Sequence, residues 1–491
     1  MTFEQLVFYG FAGITLIAGL AVVSLRNPVH AALSLILCFF SIVFYSYIFF
    51  YSIKNISFGN FEYLFFYICL GLPFYTTFQA QVFDFFENKY LINIIRFSKD
   101  FIFFYAILIF TIGSKEIFFK RKFYFSLLDK LILFFSAIII LYTVIPFGEA
   151  VFFSKLIYAK NLLIISITYL IGRNVEINYK FYNLIKKIIL FLVISSFSLV
   201  LFEHIFSIHF HSLINFSDYN SIINEIDPQG NYDLSWSFEA QSAKPRYASF
   251  FANPLEFSAS LLFFISFIFY YLFNDKKKYL LFLLLILPSL YLAFSRGAIV
   301  ATFLILFFTF YLNKRYKFII NTLISFIPIS LLIFYFSGEE IQYLIIDTLR
   351  FENTSSLGHL IEWIEGILSI IENPFGVGLA MSGNAGGVDQ SIKIGGENQF
   401  LIFGVQMGIL TMILYMLILF KVISNSITTY RISKNNIIKH ISFIVSCTKF
   451  GLLIPLFTAN AEIYLFVSLA SWFLAGYVEK KLIQSTVNEV I

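Results

Sequence analysis

Apolar runs of about 15 to 25 residues, separated by short clusters of charged side chains, dominate this chain. A helix of about 20 apolar residues is long enough to cross the roughly 30 Å hydrocarbon core of a bilayer. Of the 491 residues, 59% are hydrophobic and 13% are charged, whereas about 25% are charged in a soluble globular domain. Runs such as Leu280 to Leu287 lack the alternation of a transmembrane barrel strand. The sequence therefore predicts an all-α, polytopic helical membrane protein with about 12 to 14 transmembrane helices.

The short loops between these runs carry the Lys and Arg residues, and such basic loops stay in the cytoplasm. The clusters are Lys120 to Lys122, Lys186 and Lys187, Lys276 to Lys278, Lys314 to Lys317, Arg431 to Lys439, and Lys480 and Lys481. Counting spans between them places the two long polar segments, 204–247 and 337–398, on the periplasmic face. The net charge of +5 lies in these clusters rather than in one stripe, so no nucleic-acid partner is predicted.

The second polar segment, 337–398, is rich in acidic side chains, Gly and Asn. Long loops without a function are uncommon. Apolar residues at helical spacing from Leu357 to Ile371, opposite Glu362, Glu365 and Glu372, predict an amphipathic helix that ends before Pro374.

Residues 1–40 differ in composition from the rest, being rich in Ala and Val with no Lys before Lys54. The stretch from Phe8 to Ser41, including Ser24-Leu25-Arg26-Asn27-Pro28, resembles the first helix and turn of subunit J of NADH–quinone oxidoreductase. The resemblance ends near Phe40, and the glycine-bearing third helix of that subunit does not follow. We therefore expect residues 1–40 to be an N-terminal region of foreign character and 41–491 to be the main membrane domain. The first apolar run lacks the basic flank and cleavage site of a signal peptide, so it should be retained.

Three segments on the predicted periplasmic face carry a second resemblance. They are Pro245 to Pro254, Phe294 to Ala298, and Gly358 to Trp363 continuing through Asn373 to Gly378 and Gly396 to Leu401. In this order they resemble the O-antigen ligase and polymerase superfamily over about residues 230–425. The resemblance implies a metal-independent, inverting glycosyltransferase in the bacterial inner membrane. It also implies an undecaprenyl-pyrophosphate-linked glycan as donor.

Breaking a bond between a sugar and pyrophosphate releases an anion that needs fixed positive charge. Arg246, Arg296 and Arg350 are the outer-face arginines predicted to bind it, although each could instead extend to lipid headgroups. Asn398, in the last motif segment, is a further predicted substrate-binding residue. Trp363 could stack on a sugar ring or lie in the interfacial aromatic belt.

The attacking sugar hydroxyl also needs a base to accept its proton. Ligases of this superfamily have a histidine just before the Asn of the segment that ends in Phe400-Leu401, whereas this chain has Glu397. His359 stands where relatives often have Arg. Either Glu397 or His359 could be the base, and either could instead bond a neighbouring backbone group. Both departures from the ligase pattern favour a polymerase.

Other polar residues within or beside the spans have structural explanations. His204, His209 and His211 match no tight metal site, and the sequence predicts neither a metal nor a cofactor. Lys449 lies near mid-membrane, where an isolated ammonium is costly unless it faces a polar cavity or a partner. A structural ion pair is the commoner of these two explanations.

The leading hypothesis is polymerisation of lipid-linked repeat units of O-antigen, capsule or exopolysaccharide. One alternative is a ligase that passes the glycan to lipid A core or protein, and another is a lipid-linked oligosaccharide flippase or transporter. A transporter would have short loops on both faces, so the one-sided long loops argue against it. The predicted partners are the lipid-linked glycan and membrane lipids, with a chain-length regulator and a flippase as candidate protein partners.

Overall fold

The computed structural model describes residues 28–113, 125–226, 228–240, 244–350, 352, 354–384, 387–389 and 391–490. Residues 1–27 of the predicted foreign region 1–40 lie outside the described residues, and so does the larger part of the stretch that resembles subunit J. The division of the chain at residue 40 stays a prediction.

The described residues form helices joined by turns and two longer irregular segments. In chain order the helices are α1 (Pro28–Ser57), α2 (Glu62–Leu70), α3 (Leu72–Phe86), α4 (Lys89–Gly113), α5 (Leu127–Val144), α6 (Phe152–Gly172), α7 (Tyr179–Phe206), α8 (Phe210–Leu213), α9 (Phe216–Asn224), α10 (Pro254–Phe273), α11 (Leu280–Leu292), α12 (Arg296–Leu312), α13 (Tyr316–Phe336), α14 (Glu339–Arg350), α15 (Thr354–Glu372), α16 (Gln399–Met407), α17 (Ile409–Ile432), α18 (Asn436–Thr458) and α19 (Leu465–Val490). Extended pairing within this part of the chain is limited to an isolated bridge between Glu239 and Pro245. The predicted all-α class is confirmed.

Seven described helices are long and apolar enough to cross a membrane, namely α5, α6, α7, α10, α13, α17 and α18. α12 is a shorter apolar helix. The chain is thus a multi-pass membrane protein, and the total of 12 to 14 spans stays a prediction.

α10 is the central helix of the bundle, because 89% of its most apolar 18-residue stretch is buried inside the protein. It packs against α11, α12, α18 and α19. α13 is the opposite case, because none of its described side chains is buried, as expected of a helix that faces lipid.

The apolar run over 399–420 does not form one continuous helix, because it is divided into α16 and α17 at Gly408. The residue has a φ of 86°, and the NH of Ile409 donates to the carbonyl of Pro374 at 3.0 Å. A Cβ at Gly408 would overlap that same carbonyl. The polar segment that contains Pro374 therefore fills the break in the helix.

Lys449 forms the ion pair expected of a buried ammonium. Its Nζ lies 3.8 Å from Oε1 of Glu462 and 3.8 Å from the ring centroid of Trp472. Glu462 also accepts hydrogen bonds from Tyr415, Ser468 and the indole of Trp472. These contacts hold the turn between α18 and α19, which contributes to the candidate site.

Candidate functional site

Tyr464, in the turn between α18 and α19, lies near two of the predicted site residues, Arg246 and Glu397. Its side chain is buried and lies within electrostatic range of Arg246, Glu256 and Glu397. The three come from separate parts of the chain, so their approach depends on the packing of the bundle.

Arg246 and Arg296 form a pair of neighbouring positive charges. The backbone NH of Arg246 donates to the carbonyl of Phe238 at 2.8 Å, which places the residue in the first long polar segment. Burial, with a smaller contribution from the charge of Arg296, lowers the pKa of Arg246 to about 10, and Tyr464 opposes the shift. Nε of Arg246 is buried and has no hydrogen-bond partner among the described residues. Two neighbouring cations and an unsatisfied donor are the features of a site that an anion would stabilise.

The local sequence explains how Arg296 reaches this position. Ser295 caps α12, and its side chain accepts the NH of Ala298 at 3.4 Å. At Gly297 a Cβ would lie 3.3 Å from Oγ1 of Thr458, so the start of α12 packs closely on the end of α18. The motif Ser295-Arg296-Gly297 therefore brings an arginine beside the turn that holds Tyr464.

His359 and Glu397, the rival candidates for the base, are in contact. Nδ1 of His359 touches Oε2 of Glu397, and their side chains are 26% and 36% exposed. Trp363 stacks against His359, with ring centroids 6.2 Å apart, and also packs against Phe457 with ring centroids 4.7 Å apart. The structure therefore gives a carboxylate–imidazole pair that substrate can reach from outside.

Glu362 and Lys393 belong to the same cluster, although the sequence did not single them out as site residues. Nζ of Lys393 lies 3.5 Å from Oε1 of Glu362 and donates to Oδ1 of Asn384 at 3.0 Å. Burial raises the pKa of Glu362, the nearby charge of Glu397 adds to the shift, and Lys393 opposes it. Glu362 was foreseeable from its spacing, because it follows His359 by about one helical turn on α15. Lys393 carries no comparable signal.

A cavity of about 220 Å³ adjoins this cluster. Its polar lining comprises Lys99, Tyr158, Asn161, Asn384 and Glu462. Asn384 also contacts Lys393, and the lining residues Ile463 and Leu465 flank Tyr464. Amide, hydroxyl and charged groups on an otherwise apolar wall are suited to a ligand with several hydroxyl groups.

Asn398 caps a helix in the structure. Its Oδ1 accepts the NH groups of Phe400 and Leu401 at 3.0 and 3.2 Å, and the residue is buried. This cap begins α16 immediately after Glu397 and so positions the carboxylate. Direct binding of substrate by Asn398 stays a prediction.

Arg350 is exposed at the end of α14. Within the described ranges, no contact connects it to Arg246, Arg296 or the His359–Glu397 pair. Its predicted part in substrate binding is not supported by proximity and stays a prediction.

The motif Asn373 to Gly378 is a docking segment. A Cβ at Gly378, where φ is 117°, would overlap the carbonyl oxygen of Phe147, and one at Gly148, where φ is 80°, would overlap that of Val377. The NH of Val377 donates to Val405 at 2.7 Å. Glycine is thus needed at both positions, where the two backbones are in contact, and the segment connects α15 to the rest of the bundle.

The predicted amphipathic helix is present as α15, with its apolar stripe exposed. Ile361, Ile364, Leu368 and Ile371 are between 48% and 68% exposed, whereas Ser369 and Ile370 are buried. In a membrane-spanning chain, an exposed apolar stripe of this kind suits a helix that lies at the membrane surface.

The histidines of the first polar segment pack in an aromatic environment. Nε2 of His211 lies 2.8 Å from the carbonyl oxygen of Phe251, and His209 packs against Tyr232 and Tyr247. In the described part of the chain, no group of three His, Cys, Asp or Glu side chains is placed to hold a metal ion.

Residues 280–416 match the family model described as O-antigen ligase. The matched range runs from α11 into α17 and contains Arg296, the His359–Glu397 pair and Asn398, while Arg246 precedes it. This match confirms the resemblance to the O-antigen ligase and polymerase superfamily. No curated protein matches the chain at a significant level.

Proposed function

We propose that this chain, which carries an O-antigen ligase domain, polymerises undecaprenyl-pyrophosphate-linked oligosaccharide repeat units at the periplasmic face of the bacterial inner membrane. The repeat units would be those of O-antigen, capsule or exopolysaccharide. The observation that carries the proposal is the convergence of Arg246, the His359–Glu397 pair and Tyr464, with Arg296 beside Arg246.

The arginines act on the donor. As the bond between the anomeric carbon and the phosphate oxygen breaks, negative charge grows on the departing lipid pyrophosphate. Planar guanidinium groups bind phosphate oxygens in pairs, and in a partly buried site their charge is weakly screened. Arg246 and Arg296 supply this charge without a divalent metal in the proposed reaction.

The His359–Glu397 pair acts on the acceptor. A hydroxyl oxygen of the acceptor sugar bonds to the anomeric carbon on the face opposite the departing pyrophosphate, so the configuration inverts. The hydroxyl proton passes to the pair, either to a carboxylate oxygen of Glu397 or to Nε2 of His359, the ring nitrogen that does not face Glu397. The adjacent cavity provides space for the acceptor sugar beside Lys393 and Asn384.

The position of α15 supports a lipid-linked substrate. The exposed apolar stripe and His359 both lie on α15. Glu397 touches His359 and precedes α16, which packs against α15. A helix that lies at the membrane surface would hold the pair near the level at which a lipid pyrophosphate leaves the bilayer.

The second candidate is the ligase reaction, which uses the same donor chemistry on a different acceptor. The family match covers this reaction as well. Glu397 at the position of the ligase histidine favours the polymerase. A flippase is supported less, because the matched domain is named for glycan transfer.

The experiment is glycan banding from the native host with and without the gene. If the chain is a polymerase, deletion of the gene should replace the ladder of chain lengths with a single retained repeat. Loss of the single repeat as well, with lipid-linked polymer accumulating, would identify a ligase. An unchanged ladder would refute both.

A further inference from the structure

An open basic pocket of about 400 Å³ lies at the opposite end of the bundle from the candidate site. It forms where the turn between α12 and α13 meets the turn between α17 and α18. The lining residues are Leu312, Lys314, Tyr316, Tyr430, Arg431 and Lys439. Three of the six are cationic and none is acidic, so the pocket attracts anions.

Contacts between the two turns hold the pocket together. The hydroxyl of Tyr430 donates to Oδ1 of Asn313 at 3.2 Å, and the guanidinium of Arg431 lies 5.7 Å from the ring centroid of Tyr311. α12 also packs along α18. The charges of two basic clusters that are distant in sequence are therefore brought together by the fold.

The backbone at Lys314 is a second unusual feature. Its φ of 55° lies in the left-handed region, which favours glycine. The chain has a lysine at a position where glycine would be less strained, and that lysine lines the pocket.

Tyr316, which lines the pocket, and three side chains within two sequence positions of lining residues are partly exposed, and these four side chains are taken together as the apolar border. Tyr311, Tyr316, Phe318 and Ile432 are between 41% and 53% exposed. A free inorganic anion would gain nothing from this border, whereas the acyl chains of a lipid would cover it. Basic pockets between helix ends on the cytoplasmic side are known to bind anionic lipid headgroups.

We propose that this pocket binds the phosphate group of an anionic phospholipid in the leaflet that the basic clusters assign to the cytoplasm. Lys314, Arg431 and Lys439 contact the phosphate oxygens, and the exposed border contacts the acyl chains. The site is separate from the proposed glycosyl transfer and does not depend on it.

The test is native mass spectrometry of the full chain, purified in detergent, with phosphatidylglycerol and phosphatidylcholine of identical acyl chains in equal amounts. We expect about tenfold or greater preference for phosphatidylglycerol, and loss of that preference in the variant Lys314→Gln, Arg431→Gln, Lys439→Gln. The matched control is Lys276→Gln, Lys277→Gln, Lys278→Gln, which removes equal charge from another cluster on the same predicted face and should keep the preference.

Two further measurements separate lipid binding from structural effects and from free phosphate. Lys314→Gly relieves the left-handed backbone and removes one charge, so it should weaken phosphatidylglycerol binding without lowering the melting temperature. Millimolar inorganic phosphate should not displace the lipid. Equal binding of the two lipids, equal loss in both triple variants, or displacement by phosphate would overturn the proposal.

Discussion

At the scale of single residues, Arg246 shows the features of a ligand-binding cation. Its buried Nε has no partner in the described part of the chain, and Arg296 lies close enough to lower its pKa. An unsatisfied buried donor costs about 1 to 3 kcal/mol, and a structural arginine would have a partner to offset that cost. A pyrophosphate would provide an acceptor for Nε of Arg246, and its negative charge would be attracted to both guanidinium groups.

Arg246→Lys is expected to reduce polymerisation by about tenfold or more while the protein level stays normal. Lysine keeps the charge but loses the planar group that binds two phosphate oxygens together. Glycan banding and in vitro turnover measure the effect. Arg350→Lys tests the third predicted arginine: a comparable loss would keep Arg350 in the site, whereas turnover close to wild type would remove it. Turnover close to wild type in Arg246→Lys would contradict the assignment of Arg246.

Glu397→Gln is expected to reduce turnover by about 100-fold or more, because it preserves the shape of the side chain and removes its basicity. His359→Ala assigns the proton within the pair. If Glu397 is the base, loss of the imidazole should be the milder change. If His359→Ala is as severe and Glu397→Gln retains much of the activity, His359 is the base. Normal ladders from both variants would place the reaction elsewhere.

At the scale of helices and segments, the site depends on places where regular structure stops. The break at Gly408 admits the Pro374 segment, and the crossing of Gly148 with Gly378 holds that segment against the α5–α6 loop. These contacts fix α15, which carries His359, relative to α16, which follows Glu397. Small changes here should therefore affect a reaction whose atoms lie elsewhere.

Gly148→Ala is expected to destabilise the protein by about 2 kcal/mol or more, since it combines a left-handed φ with a backbone overlap at Val377. Melting of the purified protein in detergent measures the change. Gly113→Ala is the control, because a Cβ there meets no atom of the described residues within 4 Å. A melting temperature for Gly148→Ala equal to that of the control would show that the crossing tolerates a side chain.

At the scale of the whole molecule, both long polar segments and the α18–α19 turn contribute residues to the candidate site. Arg246 comes from the first segment, the His359–Glu397 pair from the second, and Tyr464 from the turn. Such an arrangement requires that all three lie on the same side of the membrane.

Reporter fusions after Asn231 and after Asp389 are both expected to show periplasmic activity, because the basic clusters place both segments outside. A fusion after Lys277 should show cytoplasmic activity. Alkaline phosphatase and a fluorescent protein provide the two readouts. Cytoplasmic activity at Asn231 or Asp389 would refute a periplasmic site.

Deletion of residues 1–28 behind a new start Met should leave polymerisation largely intact, because the matched domain and the candidate site lie downstream. Ladder formation in the deletion strain measures this. Loss of the ladder, despite normal membrane insertion, would mean that the first apolar run belongs to the working fold.

The sequence by itself determined the membrane class, the amphipathic helix α15 and the superfamily, and it gave Arg246 and Arg296 as candidates for substrate binding. These properties depend on local composition, helical spacing and short motifs, all of which are present in the sequence itself. Only the tertiary structure decided that His359 and Glu397 touch, that Arg246 lies within electrostatic range of Arg296 and of Tyr464, and that Asn398 caps α16. The tertiary structure also decided that the apolar stripe of α15 is exposed and that the apolar run over 399–420 is interrupted at Gly408. The reason is physical: these features depend on contacts between segments far apart in the chain, and no local pattern records which segments will pack together.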